Sequence, residues 1–136
     1  MAEKSVCKDT HLKADPHPLE EERLDRLAAY DVLDTLPESE FDNLVALASK
    51  ITGTPVSLVS LVDRDRQWFK ASHGIEIGET PRDIAFCDQV VARGEALLIA
   101  DTLESEEFAA NPLVTGHPRL RFYAGAPLML DSGKCV

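Results

Sequence analysis

The chain has 136 residues, 44% of them hydrophobic and 28% charged, which predicts one domain with its own core rather than two domains or a disordered chain. A formal net charge of −10 excludes the clustered basic surface that nucleic acids select. The longest uncharged stretch, Ile51 to Val62, falls well short of the ~20 apolar residues that span a bilayer, so no membrane partner is expected.

Residues 1–16 are polar, rich in turn formers and without periodicity, and read as a flexible tail ahead of a domain over 17–136. The opening "MAEKSVCKDTHLKADPHP" also lacks the apolar centre of a secretory signal, so a cytoplasmic location is expected. Pro18 suits a first helical turn, and Glu20, Glu21 and Glu22 favour its positive end. Leu24, Leu27 and Ala28 then give a narrow stripe, predicting a helix from Leu19 to Tyr30 that serves as a dimer element. Pro37 interrupts. Ser39 is the expected N-cap of a second helix whose core stripe is Phe41, Leu44, Val45, Ala48 and Ile51, closed by Gly53.

"PVSLVSLV", Pro55 to Val62, is apolar on both faces and predicts a central strand covered on both sides. A charged turn at 63–66 leads into a returning strand, "QWFKA", over 67–71. After an irregular segment, Ala85 to Ala92 predicts a short helix ended by Arg93 and Gly94. "ALLIA" (96–100) reads as a buried strand, and "RFYAGAPLML" (121–130) as another, carrying a glycine where a backbone or ligand comes close. "DSG" (131–133) is a hairpin turn after which only Lys134, Cys135 and Val136 follow. A hairpin calls for a partner strand of about 5–6 residues, so the sequence is expected to be a fragment or to pair its last strand elsewhere.

The order of elements is α+β: an antiparallel sheet, two leading helices and long crossovers. The cysteines, Cys7, Cys87 and Cys135, are odd in number and widely spaced, which signals neither a disulfide framework nor a zinc site. In "PRDIAFCDQVV", Cys87 sits near a helix start with Arg82 close by, features that favour a thiolate, but Asp88 beside it opposes one. The reading adopted is a small hydrophobe packed at a pocket wall.

Four blocks, "LAAYDVLDTLPESEFDNLVALAS", "TPVSLVSLVDRDRQWFKASHG", "ETPRDIAFCDQVV" and "LIADTLESEEFAANPLVTGHPRLRFYAGAPL", together resemble a GAF domain over residues 19–136. The similarity is to those at the N-terminus of bacterial sensor histidine kinases and diguanylate cyclases. It implies a GAF-like antiparallel sheet flanked by helices, with a small-molecule pocket on one face, and a homodimer that controls a separate kinase or cyclase output domain. In that family the terminal turn is followed by a strand and a helix, neither present here. Family signatures for particular cofactors are missing. Ala85 replaces the proline of the bilin-type Asp-Ile-Pro segment, the cyclic-nucleotide set is not visible, and Gln89 stands where relatives carry a histidine. The ligand is therefore left unidentified, with no catalytic or metal-binding residue assigned.

The implied pocket is expected to be walled by Trp68, Phe86, Cys87, Phe122 and Tyr123, with Arg66, Asp88 and Arg121 as polar contacts. Asn111 and Pro112 are read as shaping the crossover. Two alternatives stand beside this one. One is a GAF-type free methionine sulfoxide reductase in which Cys87 attacks and Cys135 resolves. The other is a degenerate domain, filled by its own side chains, that only dimerises.

Overall fold

A computed structural model describes residues 20–136. The predicted tail over 1–16, Cys7 and the predicted helix start at Leu19 lie outside these residues. The described elements are α1 (Glu20–Ala29), α2 (Ser39–Thr52), β1 (Ser57–Val62), β2 (Arg66–His73), β3 (Glu79–Pro81), α3 (Phe86–Arg93), β4 (Leu97–Ile99), α4 (Pro112–Thr115) and β5 (Tyr123–Gly125). The strands form two antiparallel sheets, β1-β2-β3 and β4-β5, and the architecture is α+β.

Each helix is bounded by local chemistry. In α1 three glutamates occupy the first turn and Arg26 the last, which matches the macrodipole at both ends. Its Leu24 and Leu27 are buried within the domain, while Ala28 of the predicted stripe is exposed. α2 ends where Gly53 adopts φ +68° and its N–H donates to Ser49 O, a left-handed closure that glycine makes without strain. Its N-cap is Glu38, not Ser39, which is the first helical residue. The buried face is centred on Val45 and Ser49, while Leu44 and Ile51 of the predicted stripe point outward.

β1 lies at a sheet edge and β2 is the central strand. Only Leu61 and Val62 of β1 are fully buried. The apolar faces of "PVSLVSLV" report cover above and below, not the number of hydrogen-bonded neighbours, and that distinction accounts for the correction. β1 and β2 slip register where Val59 faces Ala71 but Ser60 faces Phe69, leaving Lys70 as the extra residue of a bulge. The buried Lys70 ammonium donates to Thr35 Oγ1 at 2.8 Å and Leu36 O at 2.7 Å, and pairs with Glu38 at 2.6 Å. It thereby ties the α1–α2 connection to the sheet.

The predicted strand 96–100 is shorter and half open, since Ile99 is buried but Leu98 is 70% exposed. The predicted strand 121–130 is regular only over Tyr123–Gly125. Beyond it the 131–133 turn forms as expected, with Gly133 N–H donating to Leu130 O, and Met129 pairing with Cys135. The main core cluster, Phe86, Ile99, Phe108 and Val114, sits between α3 and the β4-β5 sheet. Asn111 shapes the crossover as read: its Oδ1 accepts from Leu113 N at the start of α4, and its Nδ2 donates to Ile84 O at 3.1 Å.

A chain of charges joins α1 to α3. Arg23 pairs with Glu20 at 2.8 Å, Glu20 with Arg82 at 2.7 Å, and Arg82 with Asp88 at 2.8 Å. Burial alone would raise the Glu20 pKa, but the Arg23 and Arg82 guanidiniums overcome this and hold it at about 2, against an ordinary 4.5. The folded-state pKa is depressed, so this stabilisation is fully present above pH 4.5 and is lost as pH falls toward 2. Urea unfolding measured across that window is expected to show a fall in stability that Glu20→Gln makes shallower; an unchanged slope would remove Glu20 as a contributor.

Candidate functional site

The site grows from the start of α3. Pro81 begins a single 3₁₀ turn, Arg82–Ile84, and Ala85 is extended, so the chain enters α3 with Phe86 facing the core and Cys87 at the second helical position. Strand alternation places Ser60 and Gln67 on the same face of the larger sheet, toward α3. Their side chains converge on the thiol. Gln67 Nε2 donates to Cys87 Sγ at 3.0 Å and to Ser60 Oγ at 2.9 Å, and Ser60 Oγ lies 3.5 Å from Sγ.

The fourth member comes from the other sheet. Tyr123 Oη stands 3.1 Å from Cys87 Sγ, and the tyrosine ring packs on Phe86 with centroids 5.1 Å apart. Burial, and secondarily the neighbouring thiol, push the Tyr123 hydroxyl well above its ordinary pKa, so it stays a neutral phenol. Gly125, two residues on and on the same strand face, makes room for it: a Cβ there would stand 2.8 Å from Tyr123 Cζ. Residues from β1, β2, α3 and β5 therefore meet at one sulfur where the two sheets approach. The four groups satisfy one another, so an entering ligand would have to take over their hydrogen bonds.

Phe86, Cys87 and Tyr123 of the predicted wall are thus brought together. Asp88 lies beside them, but the Arg82 guanidinium engages its buried carboxylate. Trp68 faces the opposite side of β2 from Gln67 by alternation, away from the thiol. Arg66 is held by Asp34 at 2.7 and 2.9 Å, Glu79 at 2.9 Å and Asp63 at 3.3 Å, which ties β2 to the loop after α1. Arg121 donates to Val114 O and Leu120 O, each at 3.1 Å, and Phe122 is largely exposed on the strand face opposite Tyr123. Gln67 and Ser60 were not singled out in the sequence, although the period-2 rule places Gln67 opposite Trp68.

A separate shallow groove of about 330 Å³ runs along the β4-β5 sheet, lined by Ala96, Leu97, Leu98, Ala124, Gly125 and Ala126. It is apolar and open, and its Gly125 lies against the Tyr123 side chain. Among the described residues no group of three or more His, Cys, Asp or Glu side chains is placed to hold a metal ion, and no helix is long and apolar enough to cross a membrane.

The chain is 40% identical over 119 residues to the cyclic di-GMP phosphodiesterase PA2567 of Pseudomonas aeruginosa, an alignment covering 85% of this chain and 20% of that protein. The chain thus spans about a fifth of the length of the curated relative it matches. Its fold resembles the crystal structure of the GAF domain from Acinetobacter phosphoenolpyruvate-protein phosphotransferase, with a TM-score of 0.55 at 17% identity over 88% of this chain and 73% of that one. It also resembles the free methionine-R-sulfoxide reductase from Neisseria meningitidis in complex with its substrate, with a TM-score of 0.54 at 21% identity over 92% of this chain and 73% of that one. At such identities these two establish the fold alone. The family is established by sequence: the model of the GAF domain matches residues 37–136, a stretch that contains both sheets and the cluster between them, and the chain belongs to the GAF domain family.

Proposed function

We propose that this chain is the sensory GAF domain of a cytoplasmic bacterial signalling protein, binding a small molecule beside Cys87 and Tyr123 and controlling a separate output domain. The observation that carries this reading is the 40% identity to one fifth of a cyclic di-GMP phosphodiesterase. A second-messenger enzyme, a phosphodiesterase or cyclase, is the output it supports best. The domain itself does no chemistry. It acts by population shift: a ligand that binds one arrangement of the two sheets better than another moves the equilibrium by its differential affinity.

The cluster suits that role because it joins elements far apart in sequence. Ser60, Gln67, Cys87 and Tyr123 come from four elements, and a ligand that displaces Tyr123 from the thiol would loosen the contact between the sheets. The competing reductase reading has less support. Among the described residues the polar groups touching Cys87 Sγ are a hydroxyl, an amide and a phenol, none of them a cation or a base. Cys135, the resolving thiol in that reading, has its pKa raised, chiefly by burial, which disfavours the thiolate needed for exchange.

Amide NMR of the 136-residue chain titrated with nucleotides, amino acids and methionine sulfoxide tests the proposal. The expected result is that one compound shifts the signals of Gln67, Cys87 and Tyr123 and is recovered unchanged. Consumption of methionine sulfoxide in the presence of a dithiol, abolished by Cys87→Ser, would replace this reading with the reductase.

A further inference from the structure

We propose that the ligand of this sensor is an anion, and that Arg119 and Arg121 hold its negative group at the rim of the thiol cluster. The inference rests on the sensory reading and names the chemical class that reading leaves open. From Phe108 to Leu130 the sequence contains no aspartate or glutamate, although the chain as a whole carries a formal charge of −10. Within that stretch His117, Arg119 and Arg121 are all exposed. The other described arginines are engaged. Arg23 and Arg82 share Glu20, Arg64 meets Glu21, Arg66 meets Asp34 and Arg93 meets Glu107, while Arg26 donates to Cys135 O. Among the described residues, Arg119 and Arg121 have no carboxylate partner.

The two guanidiniums stand on a fixed platform. Buried Thr102 donates from Oγ1 to Leu120 O at 2.6 Å and from its N–H to Arg121 O at 2.8 Å. Leu120, between the two arginines, packs on the core cluster. Asp101, next to Thr102, turns its carboxylate to Leu103 N at 2.9 Å and leaves the arginines unpaired. Arg121 spends only Nη1, on Val114 O and Leu120 O. Its Nε and Nη2 edge stays open, and that edge is the fork that meets two oxygens of a carboxylate or a phosphate. The patch adjoins the thiol cluster: Tyr123 lies two residues beyond Arg121, and Val114, whose carbonyl Arg121 holds, packs with Phe86. The cluster itself offers a hydroxyl, an amide, a thiol and a phenol. The charge of a bound molecule therefore has to be met outside it, and the adjoining basic surface is the place.

Amide NMR of the 136-residue chain, titrated at constant ionic strength with inorganic phosphate and with acetate in place of chloride, reads the result. At least one of the two is expected to shift the Arg119, Leu120 and Arg121 signals saturably, and the tighter anion tells a phosphorylated ligand from a carboxylate. Arg119→Gln and Arg121→Gln should each weaken that binding by about fivefold or more. Arg93→Gln, at a guanidinium already paired with Glu107, should leave it unchanged. Unchanged circular dichroism is the folding control for Arg121→Gln. Arg119 makes no side-chain hydrogen bond among the described residues, so its variant keeps the test open should the other misfold. Phosphate and acetate that shift nothing beyond the effect of chloride, or shifts that both glutamine variants retain, would overturn the proposal. A compound that shifts Gln67, Cys87 and Tyr123 yet is neutral or cationic, or binds Arg121→Gln as tightly as the wild type, would overturn it while leaving the sensory reading intact. Anion shifts at the patch with no compound reaching the cluster would instead overturn the sensory reading and keep the anion site.

Discussion

Replacing Arg82 by methionine is expected to destabilise the domain by about 3 kcal/mol, a large share of the stability of an ordinary domain. Arg82 is the junction of the charge chain. Its Nε donates to Asp88 Oδ1 at 2.8 Å, its Nη1 to Glu20 Oε1 at 2.7 Å, and Nη1 also reaches the carbonyls of Asp63 and Arg64. Methionine keeps the packing of the side-chain stem but leaves the Asp88 carboxylate, 3% exposed, without its guanidinium. That loss costs more than the pair contributes over an apolar substitute, because the desolvation of the carboxylate remains after the guanidinium's share of its compensation is gone. Arg82 and Glu20 keep partial contact with water, which sets the estimate at the lower end of the range for buried pairs. Arg82→Lys preserves the charge but not the fork that meets two carboxylates, and an intermediate loss is expected. Urea unfolding should show a lower midpoint at unchanged slope, and Arg82→Met combined with Asp88→Asn should recover part of it. A loss no greater than that of an exposed ion pair, below about 1 kcal/mol, would mean that α1 is not anchored through this residue.

What could be read from the sequence was whatever local spacing determines. The period of α2 and its closure at Gly53 are short-range facts, as is the entry to α3 ahead of Cys87. Which side of α2 faces inward is not. Phe41, Leu44, Val45, Leu47, Ala48 and Ile51 ring most of the helix, so periodicity offers two acceptable faces. Contacts distant in sequence, such as buried Lys70 beneath the α1–α2 loop and over the Phe41 ring, lie on only one of them. Likewise, the residues of β1 describe what covers the sheet, but its place at the edge depends on which other strands pair with it.

The candidate site divides along the same line. Cys87 and Tyr123 were legible because a thiol at a helix start and a tyrosine in an apolar strand are chemically conspicuous. Gln67 was not, because a single amide beside Trp68 carries no local signal, and taking the tryptophan as the wall favoured the face of β2 away from the sulfur. Arg66 looked available to a ligand because its strongest partner, Asp34, is 32 residues away. A guanidinium's freedom cannot be judged from its immediate neighbours when a loop elsewhere supplies the carboxylate.

Phe108→Ala is expected to cost about 4 kcal/mol and to change the environment of Cys87 as well. Phe108 is almost completely buried, and its ring stacks on Phe86 with centroids 4.4 Å apart. Removing it deletes the apolar contact and leaves a void behind the first residue of α3, which the surrounding core fills only in part. Phe86 also supports the Tyr123 ring, so the void lies directly behind the wall in which Tyr123 meets Cys87. A side chain that loses packing on one face samples other rotamers, and the thiol beside it becomes reachable from solvent more often. The rate of Cys87 modification by a neutral thiol reagent is therefore expected to rise more than that of Cys135, measured in the same samples well below the unfolding midpoint. Phe108→Leu fills most of the volume and should cost under about 1.5 kcal/mol with little change in either rate. Equal acceleration of both thiols would show that the substitution only promotes global unfolding, and that Phe108 gives the start of α3 no support of its own.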